Sequence, residues 1–181
     1  YSTDMTVNDY TYADLPAEAR GLSVPHGVGF VWATILWDMY WELINKHGFD
    51  SDLYYGTGGN NIALQLVMDG LKLSTCGGVG FVDGRYAILA ADAAIYDGDN
   101  SCLIRSVFAR RGVGALAFQG SSELREDQIP NFDLDIAVLG NCGSVLAISD
   151  KNKTIFSVYP NPTADEIYIN NSRNIGSAVY K

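Results

Sequence analysis

The chain has 181 residues, 48% of them hydrophobic and 18% charged, which is typical of a globular protein and argues against wholesale disorder. This length suffices for one core-bearing domain with a small appendage, but not for a second full domain. The net charge of −9, with no basic cluster larger than Arg110-Arg111, argues against nucleic acid as a partner because a phosphate backbone would be repelled.

The first 25 residues are polar and interrupted by Pro16 and Pro25, so they predict a loop with one short helix over residues 13–20. A long helix is predicted next, over residues 28–46, because apolar residues recur there every four positions in two adjoining rows. The rows are Val31, Ile35, Met39 and Leu43, and Trp32, Leu36, Tyr40 and Ile44.

A polar stripe is predicted opposite these rows, formed by Thr34, Asp38 and Glu42. Two carboxylates in a stretch of this length favour a helix of a soluble protein, because a charge near the centre of a bilayer is costly. The sequence therefore predicts no membrane span.

Three further helices are predicted downstream. One covers residues 61–73 with Asn60 or Asn61 as its N-cap, and the others are capped by Asp83 and Ser101. Glycine-rich loops join them. Four main helices in succession predict a mainly α fold.

The composition changes after Phe132, and the polar residues 149–153 mark a domain boundary. Beyond this boundary, residues 155–159 and 166–170 alternate between apolar and polar side chains. The alternation predicts two β-strands around the turn Pro160-Asn161-Pro162, which its two prolines favour.

A family resemblance rests on Pro25-His26-Gly27-Val28-Gly29-Phe30-Val31-Trp32-Ala33, followed much later by Arg110-Arg111-Gly112-Val113-Gly114. Further blocks are Tyr1-Ser2-Thr3-Asp4-Met5, Tyr55-Gly56-Thr57-Gly58-Gly59-Asn60-Asn61, Phe81-Val82-Asp83-Gly84-Arg85 and Ala87-Ile88-Leu89-Ala90-Ala91-Asp92. Together they resemble the C-terminal half of the fungalysin family of secreted zinc metallopeptidases, over about residues 1–135. The resemblance implies the mainly α C-terminal lobe of a thermolysin-like enzyme, with a short β segment after it.

The resemblance also implies a fragment of a secreted zinc metalloendopeptidase that hydrolyses peptide bonds in extracellular proteins. The His-Glu-x-x-His zinc motif of the family occurs nowhere in this sequence, so the zinc ligands are expected in an upstream catalytic half of the same polypeptide. The expected partners are that half and a protein or peptide substrate, and the expected location is secreted, extracellular or cell-surface. The alternative is a non-enzymatic secreted helical module that binds peptide or glycan through Trp37 and Trp41.

His26 is the candidate catalytic residue, because the resemblance places it before the long helix, facing the zinc site. There it would donate a hydrogen bond to the oxyanion of the tetrahedral intermediate. The alternative is a loop histidine that caps the helix. Phe30 stands where many members have glutamate, so no role of that glutamate is carried over. His47 ends the same helix and is interpreted as structural, so no metal ligand is assigned.

The three cysteines, Cys76, Cys102 and Cys142, lack the spacing of a metal knuckle. The resemblance implies a disulfide between Cys76 and Cys102, and two buried free thiols are the alternative. The segment Asp97-Gly98-Asp99-Asn100 is rich in oxygen ligands but lacks the spacing of a calcium loop, which favours a solvated turn. Gly77-Gly78-Val79-Gly80 departs from the usual family link, so an altered loop is expected there.

The tail resembles the start of a C-terminal sorting domain of the type IX secretion system, on the motif Val158-Tyr159-Pro160-Asn161-Pro162 and the strand after it. This resemblance implies the type IX secretion machinery as a partner. The alternative is a generic β-hairpin of a small adhesion module. The predicted organisation is a helical lobe over residues 1–135, a linker over 136–153 and a truncated β sorting domain over 154–181.

Overall fold

A computed structural model describes residues 1–75, 77–121 and 123–134, together with the strand residues 156–159, 167–171 and 178–180. The chain divides into two compact units, Tyr1–Leu146 and Ala147–Lys181. The first unit contains the helices and the second contains the strands. No helix in the described part of the chain is long and apolar enough to cross a membrane.

The first unit is mainly α, as the sequence predicted. A short 3-10 helix at Tyr12–Asp14 precedes α1 (Ala17–Arg20), α2 (His26–His47), α3 (Gly59–Leu73), α4 (Phe81–Tyr96) and α5 (Ser101–Arg110). The predicted long helix is confirmed, and it begins two residues earlier than expected. The predicted helix over residues 13–20 is instead two short ones, because Pro16 has no N–H to continue the hydrogen bonding of the first.

The four long helices enclose one core, in which α2 and α4 each pack against both α3 and α5. The first apolar row of α2 is fully buried, and the second row flanks the core in half-buried positions. Two glycines allow close approach: a side chain at Gly59 would collide with the backbone of Leu43, and one at Gly84 with the ring of Trp32. The sequence pattern thus located the core face of α2 correctly.

The polar stripe that was predicted opposite the apolar rows of α2 is itself buried or half-buried. Thr34 and Asp38 are both 0% exposed, and Glu42 is half-buried. The face is covered by the chain's first residues, since the side-chain amide of Asn8 donates to the Thr34 hydroxyl at 3.3 Å. Asp38 is held by an arginine from the end of α5.

Arg111 is also 0% exposed. Its Nε donates to Asp38 Oδ2 at 2.6 Å, and its Nη2 to Asp38 Oδ1 at 3.2 Å. Its remaining N–H groups donate to the carbonyls of Asn8 at 2.6 Å, Tyr10 at 2.9 Å and Ser2 at 3.3 Å. One guanidinium therefore fastens the N-terminal segment to α2 and α5.

Three predicted helix caps are corrected. The N-cap of α5 is Asn100, and Ser101 is the first residue of the helix. The N-cap of α3 is Gly58, while Asn60 is buried inside the helix and its side chain bonds the backbone N–H and C=O of Asp50 at 2.9 and 2.8 Å. The N-cap of α4 is Gly80, and Asp83 lies three residues into the helix, where its carboxylate accepts from the Gly80 N–H. A Cβ at Gly58 or at Gly80 would collide with neighbouring atoms, so an asparagine or aspartate would not fit at either cap position.

After α5 the chain forms a loop whose two ends are joined by backbone hydrogen bonds. Phe118 and Ile129 exchange backbone hydrogen bonds of 2.9 and 2.8 Å, and Asn131 N–H donates to the Gly112 carbonyl at 2.9 Å. The segment between Phe118 and Ile129 is called here the pocket loop, and its described residues are 119–121 and 123–128.

The second unit contains a three-stranded antiparallel sheet in the order β1 (Phe156–Tyr159), β2 (Ile167–Asn171) and β3 (Ala178–Tyr180). The first two strands confirm the two that the alternating pattern predicted. The predicted linker, residues 136–153, lies wholly outside the described residues.

We expect Arg111→Met to lower the free energy of unfolding by about 3 kcal/mol, because the buried Asp38 carboxylate then keeps only Arg110, at 3.0 Å, as a charged partner. Urea denaturation measures this. Lys72→Met, which removes an exposed pair with Asp69, is the control and leaves the midpoint near that of the wild type. An Arg111→Met midpoint equal to that of the control would contradict the prediction, and the double variant with Asp38→Leu recovers part of the loss.

Candidate functional site

His26 is the first residue of α2, and its side chain is exposed. The backbone N–H groups of the first turn are already engaged: Gly27 and Val28 donate to the Ser23 carbonyl at 2.8 and 3.3 Å, and Gly29 donates to the Pro25 carbonyl at 2.9 Å. The imidazole is therefore the hydrogen-bonding group that this end of the helix offers to a ligand. Its predicted position before a long helix agrees with the structure, whereas its predicted role is not tested by the geometry.

A row of aromatic side chains continues from His26 along the same face of α2, at positions 30, 37 and 41. Phe30 stacks on Tyr1 with ring centroids 5.3 Å apart, and Trp37 stacks on Tyr40 at 5.6 Å. Trp41 meets Trp37 edge-on at 5.8 Å and is 41% exposed. The row divides accordingly: Phe30 and Trp37 are half-buried, and Trp41 is the member most open to a ligand.

His47 lies at the other end of α2, 21 residues from His26. At 1.5 Å per residue the two are about 32 Å apart, so they cannot bind one metal ion. The described residues contain no group of three His, Cys, Asp or Glu side chains that could hold a metal. These described residues therefore do not form a zinc site.

The acidic turn at residues 97–100 is filled by an ammonium group from within the protein. Lys46 Nζ donates to the Asp99 carbonyl at 2.6 Å, to Asp99 Oδ2 at 2.7 Å and to Asn100 Oδ1 at 3.0 Å. His47 Nε2 lies 2.7 Å from the same Asn100 oxygen. Lys46 thus occupies the place that a cation would take, and the ring of His47 contacts the same turn.

Asn100 in turn links this turn to a buried carboxylate. Asp92 is 0% exposed and accepts from the Asn100 N–H at 3.0 Å and from the Asn100 side-chain amide at 2.9 Å. The chain of contacts runs from the interior of α4 to the C-terminal end of α2. It fixes the α4–α5 connection rather than creating an open site.

Cys102, near the start of α5, is disulfide-bonded. The other two cysteines, Cys76 and Cys142, lie outside the described residues, so the pairing of Cys102 with Cys76 stays a prediction. A free thiol at Cys102 is excluded.

A pocket of about 420 Å³ adjoins the start of α2. Val24, Pro25 and Val28 form one wall, the start of α4 forms a second, and the pocket loop forms a third. Sequence reasoning missed this pocket and its residue Gln128. The one signal was the glycine-rich segment at 77–80, where an altered loop was expected, since Val79 and Gly80 lie in the second wall.

These features define a mainly α domain whose longest helix begins with an accessible histidine beside a pocket. Its described residues contain no cluster of side chains that could hold a metal. The family model "Fungalysin metallopeptidase (M36)" matches residues 1–117. The chain belongs to this family of metallopeptidases.

Curated relatives agree with the family match. Extracellular metalloproteinase 2 of Arthroderma gypseum is 40% identical over 140 residues, which cover 74% of this chain and 21% of that protein. Extracellular metalloproteinase 2 of Trichophyton tonsurans is 39% identical with the same coverage. Extracellular metalloproteinase MEP of Neosartorya fischeri is 38% identical over 138 residues, 72% of this chain and 21% of that protein. The chain spans about a fifth of the length of these relatives.

We expect Asp92 to lower stability as the pH rises. Burial raises the pKa of its carboxyl above the usual 3.8, although hydrogen bonds from Asn100 oppose the shift. The folded state thus holds this proton more tightly than the unfolded state, so the contribution of Asp92 to the free energy of unfolding falls as the pH increases above 3.8 through the folded-state pKa. Asp92→Asn removes this loss.

Urea denaturation of both proteins at a series of pH values measures the difference. Relative to the variant, the wild type becomes less stable from acid to neutral pH. Asp69→Asn is the matched control with the opposite sign, because hydrogen bonds from Lys72 and Gln65 lower the pKa of Asp69. Parallel stability curves for the wild type and Asp92→Asn would contradict the prediction.

Proposed function

We propose that this chain is part of a secreted, zinc-dependent metalloendopeptidase that hydrolyses peptide bonds in extracellular proteins. The match to the fungalysin family over residues 1–117 carries the proposal. The names of the relatives, which are extracellular metalloproteinases, support both the activity and the location.

The proposal assigns the metal to another part of the same polypeptide. The described residues do not fit a zinc site, and the sequence contains no His-Glu-x-x-His motif. We therefore infer that this chain follows the zinc-binding part, as a C-terminal helical lobe, and that this upstream part is its partner. The lobe alone is then inactive.

His26 is the residue that this chain contributes to the chemistry. Its ring is exposed at the N-terminal end of α2, where the helix dipole gives a positive potential. A peptide carbonyl under attack develops a full negative charge on its oxygen only as the tetrahedral intermediate forms. A hydrogen bond from the imidazole to that oxygen therefore lowers the barrier more than it tightens substrate binding.

Zinc content and casein hydrolysis, measured on this 181-residue chain and on the same polypeptide with its upstream sequence, test the proposal. We expect zinc and activity in the longer protein alone. Activity in neither protein would contradict the proposal and favour the alternative below. Zinc bound to the short chain would contradict the assignment of the metal to the upstream part.

His26→Ala in the longer protein is expected to lower kcat by about 10²–10³-fold with little change in KM, because the lost hydrogen bond forms in the transition state. His47→Ala, at the other end of the same helix, is the control and keeps kcat within a few-fold of the wild type. Steady-state kinetics with a quenched fluorescent peptide measure both variants. An unchanged kcat for His26→Ala would refute the assignment.

A second candidate is a non-enzymatic secreted module that binds peptide or glycan through Trp37 and Trp41. The exposure of Trp41 at the end of the aromatic row favours it. Trp37 is less suited, since Tyr40 stacks on its ring. This candidate predicts binding without zinc in either form of the protein.

We also propose that the tail is the start of a type IX sorting domain, which hands the protein to that secretion machinery. The motif Val158-Tyr159-Pro160-Asn161-Pro162 and the antiparallel pairing of β1 with β2 support this. The proposed organisation keeps the predicted divisions, with a helical lobe over residues 1–135, a linker over 136–153 and a sorting domain over 154–181.

A further inference from the structure

The pocket beside α2 has a mostly apolar interior. Leu15 and Tyr12 lie at its base, Val28 and Phe81 come from the starts of α2 and α4, and Leu124 comes from the pocket loop. Its volume of about 420 Å³ suits one large side chain with part of the adjoining main chain. All of these residues belong to the helical unit.

Gln128 lines the pocket and is only 8% exposed, yet neither atom of its side-chain amide has a hydrogen-bond partner among the described residues. Buried carboxamides in folded proteins are normally paired, because an unpaired buried polar group destabilises the fold. At Gln128 a buried donor and a buried acceptor thus lie side by side, and both are available to a ligand that supplies the two partners.

Two other polar side chains of the pocket, Gln119 and Arg125, are already engaged. Gln119 Oε1 accepts from the Asp83 N–H at 3.0 Å, and its amide nitrogen donates to the Asp83 carboxylate. Arg125 donates to the Leu22 carbonyl and pairs with Glu126 at 3.3 Å. Burial, and after it the charge of Asp127, raises the pKa of Tyr12 to about 12, so its hydroxyl stays neutral. Glu123 and Glu126 outnumber Arg125 in the lining, so the pocket disfavours an anionic ligand.

We propose that this pocket binds an amide group of a peptide, which exchanges two hydrogen bonds with the side chain of Gln128. The amide nitrogen of Gln128 donates to the ligand carbonyl, and its oxygen accepts from the ligand N–H. Two sources have this chemistry: the carboxamide of a glutamine or asparagine side chain, and the N–H and C=O of one residue in an extended peptide, which point to the same side. The apolar walls hold the carbon chain of the ligand.

The pocket adjoins the proposed catalytic histidine, because Val24 and Pro25 in its first wall directly precede His26. A bound peptide would extend past the start of α2. The inference goes beyond the proposed function, since this binding needs neither a metal nor the imidazole. Its failure would leave the proposed peptidase activity untouched, and the reverse also holds.

Capped tripeptides test the proposal on the 181-residue chain itself. The probe is acetyl-Ala-Gln-Ala-N-methylamide, in which the side chain carries the only primary amide, and the matched peptides replace glutamine with leucine or glutamate. NMR titration follows the side-chain amide signals of Gln128. We expect the glutamine peptide to shift these signals and to bind at least about tenfold tighter than the glutamate peptide, whose charge the pocket cannot pair.

The leucine peptide distinguishes the two sources. Weak or absent binding of this peptide assigns the pocket to a carboxamide side chain, and binding equal to that of the glutamine peptide assigns it to the main chain. Failure of all three peptides to shift the Gln128 signals at millimolar concentration would overturn the proposal.

Gln128→Met keeps the length of the side chain and removes the amide. We expect it to weaken binding of the glutamine peptide at least about tenfold and, unusually for a buried substitution, to raise the Tm of the ligand-free chain by about 2–4 °C. Gln119→Met is the matched contrast in the same wall: its amide is paired, so its loss lowers the Tm. Gln65→Met, on the outer face of α3, leaves binding unchanged.

Two results with these variants would overturn the proposal. One is wild-type affinity for the glutamine peptide in Gln128→Met. The other is a fall in Tm for Gln128→Met like that of Gln119→Met, which would show that the Gln128 amide is already satisfied within the folded protein.

Discussion

The buried ion pair between Asp38 and Arg111 is the interaction on which the helical unit depends. Both side chains are 0% exposed, and a charge at such depth is tolerated only with a partner and with its hydrogen bonds filled. Arg111 meets this condition by donating to Asp38 and to the carbonyls of Ser2, Asn8 and Tyr10. The N-terminal segment must therefore lie across α2, and Tyr1 comes to rest on Phe30.

The sequence predicted the helices well because their signals are local. Apolar residues recur every four positions within α2 itself, and this pattern located the buried row that includes Ile35 and Met39. Asp38 was misassigned because its partner Arg111 lies 73 residues further along the chain, and a pattern within one helix carries no information about so distant a contact. The cap of α3 was misplaced for a related reason, since Asn60 bonds to Asp50 across the preceding loop.

The candidate site was predictable in part. His26 was found because a short block of residues resembles a known family, and its exposure at the start of α2 agrees with that placement. The pocket was not predictable, because its walls come from segments around Leu15, Val28, Phe81 and Gln128 that are distant in sequence. An unpaired amide such as that of Gln128 has no sequence signature, because only the folded structure shows which polar groups lie within hydrogen-bond distance of it.

The reach of Arg111 has a consequence for the order in which the protein assembles. Its contact with the Asn8 carbonyl spans 103 residues, so the N-terminal segment cannot take its final place until the end of α5 has been synthesised. Contacts of such long sequence separation slow folding, because a large loop must close before they form. During synthesis on the ribosome, Asp38 and the aromatic face of α2 thus remain exposed to water. Chaperones or other nascent chains can bind this face during that interval.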